Sequence, residues 1–191
     1  MGKVTQTQAT VHDGDVAPDI APLPEDLQEV ADHIKATCYF LDADVVGICE
    51  MPEYAWYSHD IDGNTITPIH KYAIVLLIDQ GFETMEASSG DDWISGAQSF
   101  RAYLKGSTIA CTVAGYVREL GYEARAHTNA DSEVLHNPLT MLAGLGELSR
   151  IGEVVLNSFL GPRCKTAVIT TNLPKAVDQP IDLGPKIFVV N

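Results

Sequence analysis

The segment that most constrains the fold is a run of seven apolar residues, Tyr72-Ala73-Ile74-Val75-Leu76-Leu77-Ile78. A strand with one face in water alternates apolar and polar residues, whereas a strand covered on both faces is apolar throughout. We therefore predict that this strand lies inside a sheet with other layers packed on both of its faces. The run is far shorter than the ~20 residues that a membrane-spanning helix needs, and no other apolar run approaches that length.

Helices and shorter strands are predicted around this strand. Residues 24–41 and 93–120 carry apolar residues at helical spacing, and Gly121 ends the longer helix in the left-handed conformation. Strands are expected at residues 44–49, 124–127, 154–156 and 165–171, a loop at residues 80–92, and a further helix starting near Ser132 or Pro138. Because these strands need not pair in sequence order, the predicted fold class is α+β, with helices packed on a central sheet.

The N-terminal residues 1–24 are polar and contain Pro18, Pro22 and Pro24, so we expect a flexible or loosely docked arm ahead of a domain at residues 25–191. The N-terminus has neither a basic-then-apolar signal pattern nor an Arg-Arg pair, which favours a cytoplasmic location. The four cysteines, Cys38, Cys49, Cys111 and Cys164, are scattered without C-x-x-C spacing. Reduced thiols in apolar surroundings are therefore expected.

The charge balance excludes two classes of partner. Twelve Lys and Arg against 26 Asp and Glu give a formal charge of −14. A field of that sign repels the phosphates of nucleic acids and the anionic surface of a membrane.

Familiar catalytic motifs are absent from the sequence. The six histidines are far apart, so a metal site would need a convergence that the sequence does not show. Gly144-Leu145-Gly146-Glu147 lacks the third glycine of a dinucleotide-binding loop, and glycines that allow close packing explain it better. No serine lies in the Gly-x-Ser-x-Gly turn of a hydrolase.

One face of the long helix is more informative. Its residues recur three and four apart and become small from Ser107 onwards, which lets another layer or a flat ligand approach: Phe100, Tyr103, Ser107, Ala110, Ala114 and Val117. The pattern alone favours Tyr103 as a core tyrosine whose hydroxyl bonds to the backbone. Arg163, at the entrance of an apolar strand, must be paired or face a site. Asn129 follows a strand end, where asparagine often only caps a turn.

Six segments, in order, are similar to the corrinoid domain of reductive dehalogenases, over roughly residues 32–183. They are His70-Lys71-Tyr72-Ala73-Ile74-Val75, Asp92-Trp93-Ile94-Ser95-Gly96-Ala97-Gln98-Ser99-Phe100-Arg101-Ala102-Tyr103, Leu120-Gly121-Tyr122-Glu123-Ala124-Arg125, Ala143-Gly144-Leu145-Gly146-Glu147-Leu148-Ser149-Arg150, Gly161-Pro162-Arg163 and Thr170-Thr171-Asn172-Leu173-Pro174. Queuosine-pathway reductases share the Ala-Gly-Leu-Gly and Leu-Pro segments, but they resemble the chain less in the residues between these two segments.

This resemblance implies a nitroreductase-like α+β fold that binds cobalamin (a cobamide) against a ferredoxin-like domain with two iron–sulfur clusters. The implied reaction removes halogen from an organohalide, with a tyrosine as proton donor and a neighbouring Arg or Lys. By motif position these roles fall to Tyr103 and Arg163, with Asn129 lining the pocket. The residues assigned to contact the cofactor are Ser99, Ser107, Gly144, Leu145 and Gly146.

The chain departs from the family at its end. Thr170-Thr171-Asn172-Leu173-Pro174-Lys175 replaces the usual Thr-Thr-Asp-Leu-Pro-Leu, and no clustered cysteines follow. We therefore expect no turnover without an iron–sulfur partner, and weak cobalamin binding. Two alternatives stay open: a non-catalytic structural or corrinoid-carrier relative, and a flavin-binding protein of the wider nitroreductase-like fold.

Overall fold

A computed structural model describes residues 2–88 and 93–182. The helices are α1 (Gly2–Gln8), α2 (Leu27–Phe40), α3 (Phe82–Ala87), α4 (Trp93–Glu119) and α5 (His136–Leu142), with short 3₁₀ turns at Ala9–Val11 and Glu53–Ala55. The strands are β1 (Val45–Glu50), β2 (Tyr72–Asp79), β3 (Ala124–His127), β4 (Glu147–Leu148), β5 (Val155–Leu156) and β6 (Cys164–Thr171). The predicted α+β class is confirmed.

The central sheet has four strands in the order β1-β2-β6-β3, and every neighbouring pair is antiparallel. Strand β6 is the last of the described strands in sequence but lies inside the sheet, where its Thr171 pairs with Tyr72 on one side and with Ala124 on the other. All six interior residues of β2 are buried, as its continuous apolar pattern predicts. Strands β4 and β5 form a separate two-stranded ribbon.

The two faces of the sheet carry different layers. Helices α2 and α4 cover one face, where alternate strand residues such as Ile74, Leu76 and Ile169 join the main core. The opposite residues, such as Val75 and Val168, contact a second core that includes Leu139 of α5 and Trp56. This alternation is the period of two that any strand imposes on its side chains.

Helix α4 approaches the sheet closely because the residues on its inner face are small. A Cβ on Gly106 would lie 3.2 Å from Ile78 and 3.3 Å from Ala167, so the sheet itself fills the space that the small residues leave. Gly121 ends the helix with φ +86, as predicted, and a Cβ there would lie 2.6 Å from the carbonyl oxygen of Asp19. Glycine is therefore required at residue 121, whereas a larger residue at 106 would force its neighbours to shift by a few tenths of an ångström.

The N-terminal segment, for which the sequence predicts a flexible or loosely docked arm, packs on the domain. His12 is fully buried, and its carbonyl accepts hydrogen bonds from the Ala126 amide (3.0 Å) and the Arg118 guanidinium (3.2 Å). The Ala17 and Ala21 amides donate to carbonyls at the end of α4. These backbone bonds need no apolar pattern, which explains why a polar, proline-containing sequence did not reveal them.

Other boundaries differ from the sequence predictions in detail. Helix α3 lies within the expected loop at residues 80–92, of which residues 89–92 fall outside the described part of the chain. The predicted end of the domain at residues 183–191 also lies outside it. Within the described residues, the helices are too short or too polar to cross a membrane.

Candidate functional site

Tyr103 lies at the margin of the α4 stripe, half-buried, rather than within the core. Its neighbours Ala102 and Gly106 face the sheet, whereas the Tyr103 side chain lines two adjoining cavities. The larger cavity has a volume of about 360 Å³ and the smaller about 230 Å³. Both are bordered by Thr166 on β6 and Asn137 on α5. A helix edge, a strand and a second helix thus converge on this tyrosine.

Asn129 lines the larger cavity together with Tyr103. It is exposed and follows β3, so it lies at the rim of this cavity. The structure therefore brings Tyr103 and Asn129 to one cavity, although 26 positions separate them in the sequence. The pocket roles of both residues stay predictions.

His136 borders the same cavity but is held by its own hydrogen bonds. The Ser132 hydroxyl donates to the Val134 carbonyl (3.0 Å) and so accepts from His136 Nε2 (3.1 Å). His136 Nδ1 then accepts from the Thr166 hydroxyl (2.8 Å). Burial lowers the pKa of His136 to about 4. A neutral imidazole with both nitrogens engaged is poorly suited to donate a proton, which leaves the phenols of Tyr57 and Tyr103 as the weak acids that line this cavity.

Lys165 provides the cation beside Tyr103. Its ammonium nitrogen lies 5.2 Å from the centroid of the Tyr103 ring, and both residues line the smaller cavity. An ammonium at this distance from an aromatic face is attracted to the ring. Sequence reasoning missed Lys165, which lies two positions after Arg163, near the start of β6.

Arg163 is not among the residues that line the two Tyr103 cavities, and its role beside Tyr103 stays a prediction. Its Nε donates to Asp79 Oδ1 at 3.0 Å, and its guanidinium lies 5.1 Å from the centroid of the Phe82 ring. The residues that line the two Tyr103 cavities do not include it. The reason is local: Asp79 is paired with Cys164 across the sheet, so its carboxylate stands beside Arg163 and holds the guanidinium in a salt bridge.

Most residues assigned to contact the cofactor are covered by the chain itself. Ser107 is fully buried, Leu145 is buried, and the Ser99 hydroxyl accepts from Gln80 Nε2 (2.8 Å). A Cβ on Gly144 would meet the carbonyl oxygen of Gln179 at 2.4 Å. Packing between parts of the chain therefore accounts for the small residues at these positions.

The fifth assigned residue, Gly146, borders an open cavity beside α5. The cavity has a volume of about 430 Å³, and its lining is mainly apolar: Tyr54, Pro138, Met141, Leu142, Leu148, Pro180 and Ile181. Pro138 borders this cavity and also the larger Tyr103 cavity. The two cavities thus flank the same short helix and form one surface, the α5 face.

The four cysteines do not form a cluster at the candidate site. Cys38 and Cys49 are buried, and burial raises the pKa of each thiol to about 12. Among the described residues, no group of three or more His, Cys, Asp or Glu side chains could hold a metal ion.

Comparison with solved structures identifies the family. The catabolic reductive dehalogenase NpRdhA superimposes with a TM-score of 0.89 and 47% sequence identity over 97% of this chain. A reductive dehalogenase structure described as suggesting a mechanism for B12-dependent dehalogenation gives a TM-score of 0.91 and 48% identity over the same share. The chain belongs to the reductive dehalogenase family.

The chain spans 27% of the length of each of these relatives. Epoxyqueuosine reductase, solved with a modified tRNA stem loop, has the same fold at a TM-score of 0.55 and 13% identity, over 82% of this chain and 49% of its own. The enzyme from Streptococcus thermophilus gives a TM-score of 0.54 and 13% identity, over 81% and 49%. No family model and no curated protein matches the sequence.

Proposed function

We propose that this chain forms the proton-donating part of a B12-dependent reductive dehalogenase, with Tyr103 as the acid and Lys165 as the cation beside it. The observation that carries the proposal is the Lys165 ammonium 5.2 Å from the centroid of the Tyr103 ring, in a cavity adjoining one that Asn129 borders. The 47–48% identity to solved reductive dehalogenases supports the reaction class.

Tyr103 and Lys165 have different roles in the proposed reaction. Replacing halogen by hydrogen breaks a carbon–halogen bond, releases halide, and consumes two electrons and one proton. The phenolic O–H of Tyr103 supplies the proton to carbon and becomes a phenolate, which takes a proton back from solvent. Lys165 stabilises the phenolate by its charge, and the half-buried cavity strengthens that interaction by limiting solvent.

The α5 face is a better binding surface for the expected cofactor than the five residues that were assigned to contact it. Three of those five, Ser107, Leu145 and Gly146, are buried by neighbouring parts of the chain, whereas Met141, Leu142 and Pro180 border an open, mainly apolar surface. A flat macrocycle needs such a surface on one side and a second domain on the other. Cobalamin bound there would supply electrons to the carbon–halogen bond, and an iron–sulfur partner domain would supply electrons to the cobalamin.

Corrinoid uptake and Tyr103→Phe test the proposal together. The chain is mixed with cobalamin, passed through a desalting column and scanned for corrinoid absorbance, alone and with an iron–sulfur domain of a relative. Uptake should rise with the added domain, and Tyr103→Phe should leave it intact. With both components and an aryl bromide, Tyr103→Phe should lower the debromination rate about 100- to 10,000-fold, the range for loss of a general acid.

Tyr122→Phe is the matched control, because Tyr122 packs against the core away from the cavities and loses the same atom. Equal rates in Tyr103→Phe and Tyr122→Phe would contradict the role of Tyr103.

A second candidate, a non-catalytic relative that keeps the fold, is favoured by one observation. The glycine segment at residues 144–146 and the α4 stripe are filled by the chain's own residues, such as Gln179 and Ala167. A chain that takes up no corrinoid even with an iron–sulfur domain would support this candidate instead.

A further inference from the structure

A further cavity lies on the same face of the sheet as the Tyr103 cavities but towards the other end of β6. It has a volume of about 430 Å³, and the side chains that matter for its chemistry are Trp56, His70 and Arg118. His70 is bonded to Thr170, whereas Thr166 borders the Tyr103 cavities. Four strand positions, about 13 Å, therefore separate the two regions.

Arg118 is a buried cation that no carboxylate pairs. Its side chain is 8% exposed, and its Nη1 donates to the carbonyls of His12 (3.2 Å) and Ala124 (2.9 Å). Its Nε and Nη2 have no hydrogen-bond partner among the described residues, and no described carboxylate lies within 4.0 Å of it. Burying a guanidinium without an anion is costly, so an anionic ligand would be favoured here.

The acidic side chains around this cavity are already engaged. Asp13 and Glu133 both pair with Arg125, the latter at 3.3 Å. Glu123 accepts from Asn172 Nδ2 (2.8 Å). Asp60 accepts from two backbone amides and the side chain of its own turn. Of the two cations that line the cavity, Arg125 is paired with carboxylates and Arg118 has no carboxylate partner among the described residues.

A chain of hydrogen bonds fixes the orientation of His70. The Glu133 amide donates to His127 Nδ1 (3.2 Å), so His127 Nε2 carries the proton and donates to the Thr170 hydroxyl (2.8 Å). The Thr170 hydroxyl in turn donates to His70 Nδ1 (2.7 Å). The proton of neutral His70 is thereby placed on Nε2, which has no acceptor among the described residues.

Trp56 adds an aromatic wall and a further donor. Its ring centroid lies 6.2 Å from that of His70, and its indole N–H has no acceptor among the described residues. Apolar side chains, including Ile66 and Ile69, complete the lining. Three donors without acceptors thus border one partly apolar space.

We propose that this cavity binds a small organic carboxylate, with the carboxylate bonded to Arg118 and the His70 and Trp56 N–H groups, and the carbon body against Trp56 and the apolar wall. A carboxylate matches a guanidinium in shape and carries a single charge. The four acids nearby would repel an ion of higher charge, such as a phosphate dianion. The site is independent of the proposed dehalogenation, because it shares no lining residue with the Tyr103 cavities.

The two tryptophans give a direct test in the intact chain. Trp56 lines the cavity, whereas Trp93 is 80% exposed at the start of α4. In ¹⁵N-labelled protein titrated with sodium benzoate, the indole N–H resonance of Trp56 should shift to saturation while that of Trp93 stays in place, and Trp56→Phe assigns the signals. Benzamide, the neutral analogue of the same shape, should bind at least about tenfold more weakly, because it lacks the charge.

The variant Arg118→Gln should weaken benzoate about 10- to 100-fold, the loss expected for a charged hydrogen bond. Arg101→Gln is its matched control on the same helix, since Arg101 is exposed and bonded to Gln98. If Arg118→Gln unfolds, the comparison of benzoate with benzamide decides alone. No shift of Trp56, an equal response to benzamide, or loss of the response in Tyr103→Phe would each overturn the site. Failure of cobalamin uptake would leave it untouched.

Discussion

At the scale of single residues, the two cations that follow Pro162 differ in what holds them. Arg163 is held by Asp79, whereas Lys165 lies over the Tyr103 ring. If Lys165 stabilises the phenolate, Lys165→Met should slow proton donation about 10- to 100-fold, within the range for one charged interaction. The measurement is the debromination rate against pH in the complex with cobalamin and an iron–sulfur domain.

Arg163→Met serves as the comparison variant, because it removes a cation two residues away and should affect stability more than rate. A larger rate loss in Arg163→Met than in Lys165→Met would restore the arginine to the role that its motif position suggested.

Lys175 is a second residue whose surroundings predict a measurable effect. It is 2% exposed, donates to the Leu173 carbonyl (3.1 Å) and lies 4.8 Å from the Tyr72 ring centroid. Burial lowers the pKa of Lys175 to about 7. Replacing this buried ammonium in Lys175→Met should raise the free energy of unfolding near neutral pH by about 1–4 kcal/mol.

The sign of the pH dependence checks the cause of this effect. Between pH 7 and 10.5 the unfolded chain holds the Lys175 proton more tightly than the folded one, so wild-type stability rises with pH there. The advantage of Lys175→Met should shrink across that interval in urea-unfolding curves. Lys71→Met, at an exposed lysine, is the control, and an equal gain there would point to a general charge effect.

How far the sequence could predict the site also depends on particular residues. Tyr103 and Asn129 were named through family motifs, and the structure places both on one cavity. Lys165 was missed because the motif ends at Arg163, and only the salt bridge to Asp79 shows that Arg163 is engaged elsewhere. The contacts of Trp56, His70 and Arg118 had no sequence signal, because they come from three separate parts of the chain.

At the scale of secondary-structure elements, a clear spacing of apolar residues was sufficient to predict a helix or a strand. The apolar run of β2, the spacing in α2 and the glycine after α4 predicted all three elements nearly to their ends. Helix α3 was missed because its six residues are too few to establish a period and lie in a polar segment. The small residues of α4 were correctly seen to permit close approach, but periodicity alone does not distinguish a sheet from a flat ligand.

At the scale of the whole molecule, buried histidines should make stability depend on acidity. Burial lowers the pKa of His70 and His136 to about 4, and that of His127 well below its usual value. Their neutral forms contribute stability that is complete above pH 6.5 and is lost as pH falls towards 4, because the unfolded chain takes up the protons first. The loss should be about 1.4 kcal/mol per pH unit for each histidine.

Urea unfolding at several pH values measures this loss. His136→Gln, which keeps a donor and an acceptor, should flatten the dependence between pH 6.5 and 4, whereas His59→Gln, at an exposed loop histidine, should leave it unchanged. An unaltered slope in His136→Gln would show that other groups bind the protons.

The position of β6 inside the sheet has a consequence for how the molecule is made. Strands β1 and β2 are synthesised early, but β2 receives its second neighbour only when residues 164–171 arrive, since Tyr72 pairs with Thr171. Strand β3 likewise has no partner until then. Contacts between such distant positions form slowly. A chain growing on the ribosome therefore holds an open, strongly apolar strand edge while residues 80–171 are synthesised, and at that stage aggregation competes with folding.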